Sequence, residues 1–246
     1  QFPEKSIRNV IGLLEDGNTV PFIARYRKEM TGALDEVQIR DIMERWNYLQ
    51  NLEQRKEEVI RLIDEQGKLT EELKGKILQA EKLQLVEDLY RPYKQKRRTR
   101  ATIAKEKGLE PLARWMLSFP AEGDLDAELA AYVSAEKQVA SAEEALQGAK
   151  DIIAEMVSDE PKYRGWIRGQ TFKTGVMAST VKDEEKDEKK VYEMYYAYEE
   201  PVRKIVPHRV LALNRGEKEN ILRVSIEADT ERILAYLNRQ VIRNEA

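Results

Sequence analysis

Cysteine is absent from this chain, and histidine occurs once, at His208. The first absence removes disulfides, thiolate metal sites and cysteine nucleophiles. The second leaves any histidine-dependent triad a single candidate base, within Pro207-His208-Arg209. No apolar run approaches the ~18–20 residues of a membrane-spanning helix, and no signal-peptide pattern opens the chain. Glycine signatures that cradle phosphates are missing, as is a His-Glu-x-x-His zinc motif. Neighbouring carboxylates occur at Glu87-Asp88 and in Asp183–Glu188. A metal centre for phosphodiester cleavage gathers acids from separate elements, so these local runs read as solvated or salt-bridged. The sequence thus predicts no enzyme, no catalytic residue, no bound metal and no cofactor. A reducing, cytoplasmic location is expected, without a membrane partner. The chain opens at Gln1 and closes on Asn244-Glu245-Ala246 in mid-helix pattern, so both ends read as trimmed from something longer.

What is present is charge and helical periodicity. Of 246 residues, 41% are hydrophobic and 35% charged, a balance suited to helices with long solvated faces. The fold class expected is mainly α, with helix-turn-helix-like pairs and minor extended segments near 174–181 and 221–227. Ile7, Val10, Ile11 and Leu14 share one helical face, and Gly17 stops that helix. Val20–Arg27 begins a short helix with Pro21 in its first turn, ended by Gly32. Asp35 and Gln38 form a capping box opening a helix of about thirty residues, striped by Ile39, Ile42, Trp46, Leu49, Leu52, Val59 and Ile63. Thr70 caps the next helix, and Leu83, Val86 and Leu89 mark another that stops before Pro92.

Helix, tight turn and helix follow over Thr102–Lys107, Gly108 and Leu109–Leu117, with Ala104 and Gly108 at helix-turn-helix spacing. A purely structural helix pair gives the same spacing. A boundary near Phe119–Asp124 divides the chain into residues 1–120, with 23 bases and 20 acids, and 121–246, with 19 and 25. In the second part Ser141 and Glu144 form a capping box, and Leu146, Ala149, Ile153 and Met156 continue a stripe. Lys182–Lys190 reads as a solvated loop, and Tyr192, Tyr195, Tyr196 and Tyr198 as core or interface packing. Asp229 caps a last helix with Ile233, Leu237 and Val241 on one face.

The sharpest local feature is a run of cations. Arg91, Lys94, Lys96, Arg97, Arg98, Arg100, Lys105 and Lys107 stand against the single acid Glu106, in a chain of net charge -3. Packed like charges repel, so such a cluster usually has a counter-anion, and nucleic acid is the commonest large polyanion. Tyr90 and Tyr93 flank its start, where they would stack on bases. The alternative is a loop whose cations pair with acids of the fold.

Several segments together resemble the bacterial Tex family of transcription accessory proteins. They are Val20–Glu29 with Thr31–Asp35, Leu85–Lys94 through Lys96–Thr99, Gly108–Ala113, Gly148–Glu155 and Pro207–Gly216. The resemblance runs through nearly the whole chain in colinear order. It implies a cytoplasmic nucleic-acid-binding factor whose N-terminal part is helical. An RNase-H-like domain, a helix-hairpin-helix region and an OB-fold RNA-binding domain would lie beyond residue 246, with residues 121–246 leading toward the first. No catalytic residues carry over. Two roles stay open for the chain: a weak RNA- or DNA-binding module using the eight cations, or a scaffold that docks the other Tex domains or the transcription machinery without touching nucleic acid.

Overall fold

The computed structural model describes residues 2–94, 98–120 and 123–242. Two compact units divide at Tyr93–Lys94. Helices dominate both, and one small antiparallel sheet lies in the second.

The first unit is organised by one long helix. After α1 (Glu4–Glu15), α2 (Val20–Tyr26) and α3 (Lys28–Thr31) comes α4 (Glu36–Asp64), whose 29 residues extend about 43 Å at 1.5 Å per residue. Its N-terminus is the expected capping box: the Asp35 side chain accepts the Gln38 N–H at 2.8 Å, and Gln38 accepts the Asp35 N–H at 3.0 Å. The N-terminal half of α4 closes a core with Val10, Leu13, Val20, Ile23 and Leu34. Its C-terminal half closes another with α5 (Glu71–Leu78) and α6 (Leu83–Tyr90), built on Leu52, Val59, Ile63, Ile77 and Val86. Gly17, at φ +82°, ends α1 as expected. The helix expected from Val20 to Gly32 is two helices, because the chain bends at Arg27 (φ −130°, ψ 27°).

Neither Glu87 nor Asp88 is simply solvated. Glu87 holds Arg55 at 2.5 Å, and Asp88 is buried, with Gln84 donating to it at 3.4 Å. The fully packed Lys56 donates to Glu53 at 2.8 Å and to the Leu78 carbonyl at 2.9 Å, which satisfies its charge inside the unit.

The second unit begins with α7 (Arg100–Glu106), α8 (Glu110–Ser118), α9 (Leu125–Ala131), α10 (Ala142–Asp159) and α11 (Pro161–Thr174). Ala101, Ala104, Leu109, Leu112, Ala113 and Leu129 pack on Ala145, Ala149 and Ile152 of α10. The buried face of α10 overlaps the expected stripe only in part: Ala149 is buried as expected, Leu146 and Ile153 pack half-buried against the core beside the fully buried Ala145 and Ile152, and Met156 is 40% exposed. The small residues Ala145, Gly148 and Ala149 set that face, because α7 approaches too closely for Leu or Met to face it. The last of these helices, α11, runs to Thr174.

Beyond it, β1 (Val176–Val181) is the centre of a sheet ordered β2-β1-β3, with β2 (Ala197–Pro201) and β3 (Leu222–Glu227) both antiparallel to it. The helix α12 (Pro207–Lys218) precedes β3, and α13 (Thr230–Val241) follows. Tyr192 and Tyr195 are buried with Leu213, Ile221 and Leu222, as core packing predicts. The loop before them is not merely solvated. Asp187 is buried and accepts the Val191 and Tyr192 N–H groups at 2.8 Å each and the Tyr196 hydroxyl at 3.0 Å. Burial pushes its carboxyl up, but these donors outweigh burial and hold it below the usual carboxylate range. Burial, and then Asp187 itself, push the Tyr196 hydroxyl up to about 12.

The tightest packing in this unit is testable at Gly148. A Cβ there would lie 2.4 Å from Leu109 Cδ1 and 3.3 Å from the Ala104 Cβ. Gly148→Val is expected to destabilise the second unit by about 1–3 kcal/mol through overpacking, read as a lower denaturant midpoint at unchanged slope.

A basic segment divided between pairing and exposure

Thr99 starts the site. Its hydroxyl oxygen accepts the Thr102 N–H at 3.0 Å and so caps α7. The same hydroxyl donates to Glu155 of α10 at 3.1 Å. Five residues after the α7 N-terminus, Lys105 donates to the other Glu155 oxygen at 2.9 Å. One carboxylate thus holds both ends of α7. Its side chain is only 15% exposed, so solvent screens it less than a surface acid.

Lys107 extends the same pattern. It pairs with Glu144 in the first turn of α10, and the second Glu144 oxygen accepts the Ala140 N–H at 2.9 Å. The Ser141 oxygen accepts the Glu144 N–H at 3.2 Å, which is one half of the expected capping box. The reciprocal bond goes to Ala140 instead of Ser141 because Lys107 draws the carboxylate aside. Lys107, and then the Ala140 N–H, hold the Glu144 carboxyl below the usual carboxylate range.

After Lys107 the chain turns at Gly108 (φ +79°). The Gly108 N–H reaches the Lys105 carbonyl at 2.9 Å, and the Leu109 N–H reaches that of Ala104 at 3.1 Å. This closure needs a left-handed residue, for which glycine is best suited.

The eight expected binding cations therefore do not form one set. Lys105 and Lys107 anchor α7 to α10. Arg98 pairs with Glu106 at 2.8 Å, but both side chains are more than half exposed, so the pair is of the weak surface kind. Lys94 and Arg100 are exposed and make no ion pair among the described residues. Arg91, also exposed, belongs to the first unit. Lys96 and Arg97 lie outside the described residues. The flanking tyrosines do not offer open rings: Tyr90 is buried under the Arg55 guanidinium, 5.4 Å from the ring centre, and Tyr93 is half-buried against the same core. The sequence pattern of an aromatic beside a basic run cannot reveal which way the ring faces.

A second feature of this unit showed in the sequence only as the separate apolar faces that hold Ile153, Leu237 and Val241. An apolar groove of about 730 Å³ runs between α10, α11 and α13, floored by Ile153, Val157, Ile167, Leu234, Leu237 and Val241. Three cations, Lys150, Arg164 and Arg168, also line it, with no acid among the described residues. His208, the sole histidine, is exposed in the first turn of α12; its neighbour Arg209 pairs with Glu200 at 2.9 Å.

Comparison with known proteins decides the lineage. Residues 1–64 match the family model described as Tex-like protein N-terminal domain, and residues 121–244 match the one described as Tex central region-like. This chain belongs to the Tex family. The Bacillus subtilis (strain 168) protein YdcI is 63% identical over 244 residues, covering 99% of this chain and 34% of that protein. The Transcriptional accessory protein Tex of Neisseria gonorrhoeae is 42% identical over 221 residues, covering 90% and 29%. The human S1 RNA-binding domain-containing protein 1 is 30% identical over 227 residues, covering 89% and 22%. The chain thus spans about a third or less of the length of these Tex relatives. The basic segment falls between the two Tex family matches, at residues that neither of them covers.

Two outcomes follow from the pairing. Glu155→Ala removes the tie to both Thr99 and Lys105 and is expected to lower the stability of the second unit by about 1–2 kcal/mol in urea unfolding. Because the Glu144 carboxyl is lowered, its contribution is complete above the ordinary carboxylate value and is lost as pH falls through the folded one. The stability gap between the native chain and Glu144→Gln is therefore expected to hold steady above about pH 5 and to close below about pH 4.

Proposed function

We propose that this chain is the part of a Tex transcription accessory factor that supplies auxiliary nucleic-acid contacts and domain docking, and that it performs no chemistry of its own. The observation that carries the reading is the exposed half of the basic run. Lys94, Arg98 and Arg100 are exposed, in a stretch of sequence with no acid between Arg91 and Ile103. Such a surface contacts phosphates and binds either RNA or DNA with little sequence preference. Lys105 and Lys107 hold this surface in place and do not bind. The printed names of two relatives, one a transcriptional accessory protein and one an S1 RNA-binding domain protein, agree with this role.

The helix pair α7–α8 serves as the mount for the basic run and not as a reader of base edges. The outer face of α8 carries Arg114 paired with Glu110 at 2.7 Å, which leaves little net charge to meet a DNA groove. The groove of α10, α11 and α13 supports the docking part of the reading, with other Tex domains or the transcription machinery as partners in the cytoplasm.

Simultaneous replacement of Lys94, Arg98 and Arg100 by alanine tests the binding role. The log-log salt slope for a single-stranded oligonucleotide is expected to fall by about 2, at about 0.7 per phosphate contact, with the unfolding midpoint unchanged. An unchanged slope and affinity would leave the purely structural scaffold as the reading.

A further inference from the structure

The first unit carries a second cationic surface, and here one aromatic ring, that of Tyr26, faces solvent. In α2, Val20 and Ile23 are buried in the core while Phe22, Arg25 and Tyr26 occupy the other side of the helix, at i, i+3 and i+4. Tyr26 leaves 60% of its surface to solvent. Its ring lies 5.2 Å from that of Phe22, tilted by 47°. The Arg27 guanidinium sits 5.2 Å from the centre of the Phe22 ring and donates to the Tyr26 carbonyl at 3.1 Å. Arg25 and Lys28 are exposed beside them. Among the described residues, none of Arg25, Arg27 and Lys28 makes an ion pair, in contrast to Arg98, Lys105 and Lys107.

We propose that the surface formed by Phe22, Arg25 and Tyr26 of α2 together with Arg27 and Lys28 just beyond it is a contact site for single-stranded nucleic acid. Exposed rings stack on bases whatever the sequence, and cations beside them neutralise the adjoining phosphates. A duplex hides its base faces, so this surface prefers a single strand. Burial of Val20 and Ile23 fixes the helix, so the Tyr26 ring, backed by the half-buried Phe22, is presented without ordering a loop. A protein partner would also use Tyr and Arg, but three cations against the single acid Glu29 favour a polyanion over a mixed protein surface. The proposal shares its ligand class with the function proposed above but none of its residues, and it rests on a different unit.

The test uses the full 246-residue chain and a fluorescent single-stranded oligothymidylate, with a duplex of equal length as comparison. Tyr26→Ala is expected to weaken single-strand binding at least about fivefold, the worth of one stacked base, and to leave duplex binding within twofold. Tyr26→Phe is expected to retain affinity. Joint alanine replacement of Arg25, Arg27 and Lys28 is expected to lower the salt slope by about 2, with an unchanged melting midpoint. The proposal is overturned if both the Tyr26→Ala and the triple variant bind the single strand as the native chain does. It is also overturned if neither the native chain nor its variants bind it. In the first case, loss on replacing Lys94, Arg98 and Arg100 would show that the basic segment binds while α2 does not. An α2 loss with those three replacements silent would reject the basic segment and uphold α2.

Discussion

The second unit depends on how closely α7 can lie against α10. Gly148 permits that approach, since any Cβ there would enter the space of Leu109 and press on Ala104. Close packing brings Thr99 and Lys105 within reach of Glu155, and Lys107 within reach of Glu144. A small-residue interface therefore decides the electrostatics above it. Without the close approach, the two lysines would be solvated like their neighbours.

That arrangement sorts a run of charge into parts with different duties. In the sequence, the cations from Arg91 to Lys107 are equivalent, differing only in position. In the fold, the last two are spent on acids of α10, while Lys94 and Arg100 stay open and Arg98 shares an exposed pair with Glu106. A loosely held surface pair can exchange its carboxylate for a phosphate at little cost, whereas a partly buried one cannot. Charge density alone overstates the available binding surface. It also gives no prominence to α2, a short helix with the rings of Phe22 and Tyr26 and the single cation Arg25, followed by Arg27 and Lys28 beyond its end.

Local backbone chemistry was the most legible part of the fold. The Asp35–Gln38 box, the Thr70 and Asp229 caps and the glycine stops at Gly17 and Gly108 depend on neighbours in sequence, and each forms where those residues stand. The small extended segments were legible at β1 and β3. The third strand, β2, was not, because Ala197–Pro201 is an edge strand with two adjacent glutamates and no apolar alternation. The α10 stripe was legible only in part, with Ala149 buried and Leu146 and Ile153 half-buried, because small residues, which carry little hydrophobic signal, face the tightest contact. Asp187 was hidden for a related reason: a charged run gives no sign that one member turns inward to collect three donors. Of the candidate site, residue identity was readable and pairing was not, since Glu155 and Glu144 lie 50 and 37 residues from the lysines they hold.

The division of the basic run is tested most directly by replacing Lys105 and Lys107 together with alanine and measuring the salt dependence of oligonucleotide binding alongside stability. The predicted result is a lower unfolding midpoint with the salt slope unchanged, measured where the variant remains folded. A slope reduced by about 1–2 with the midpoint intact would mean that these lysines contact phosphate, and would contradict the division.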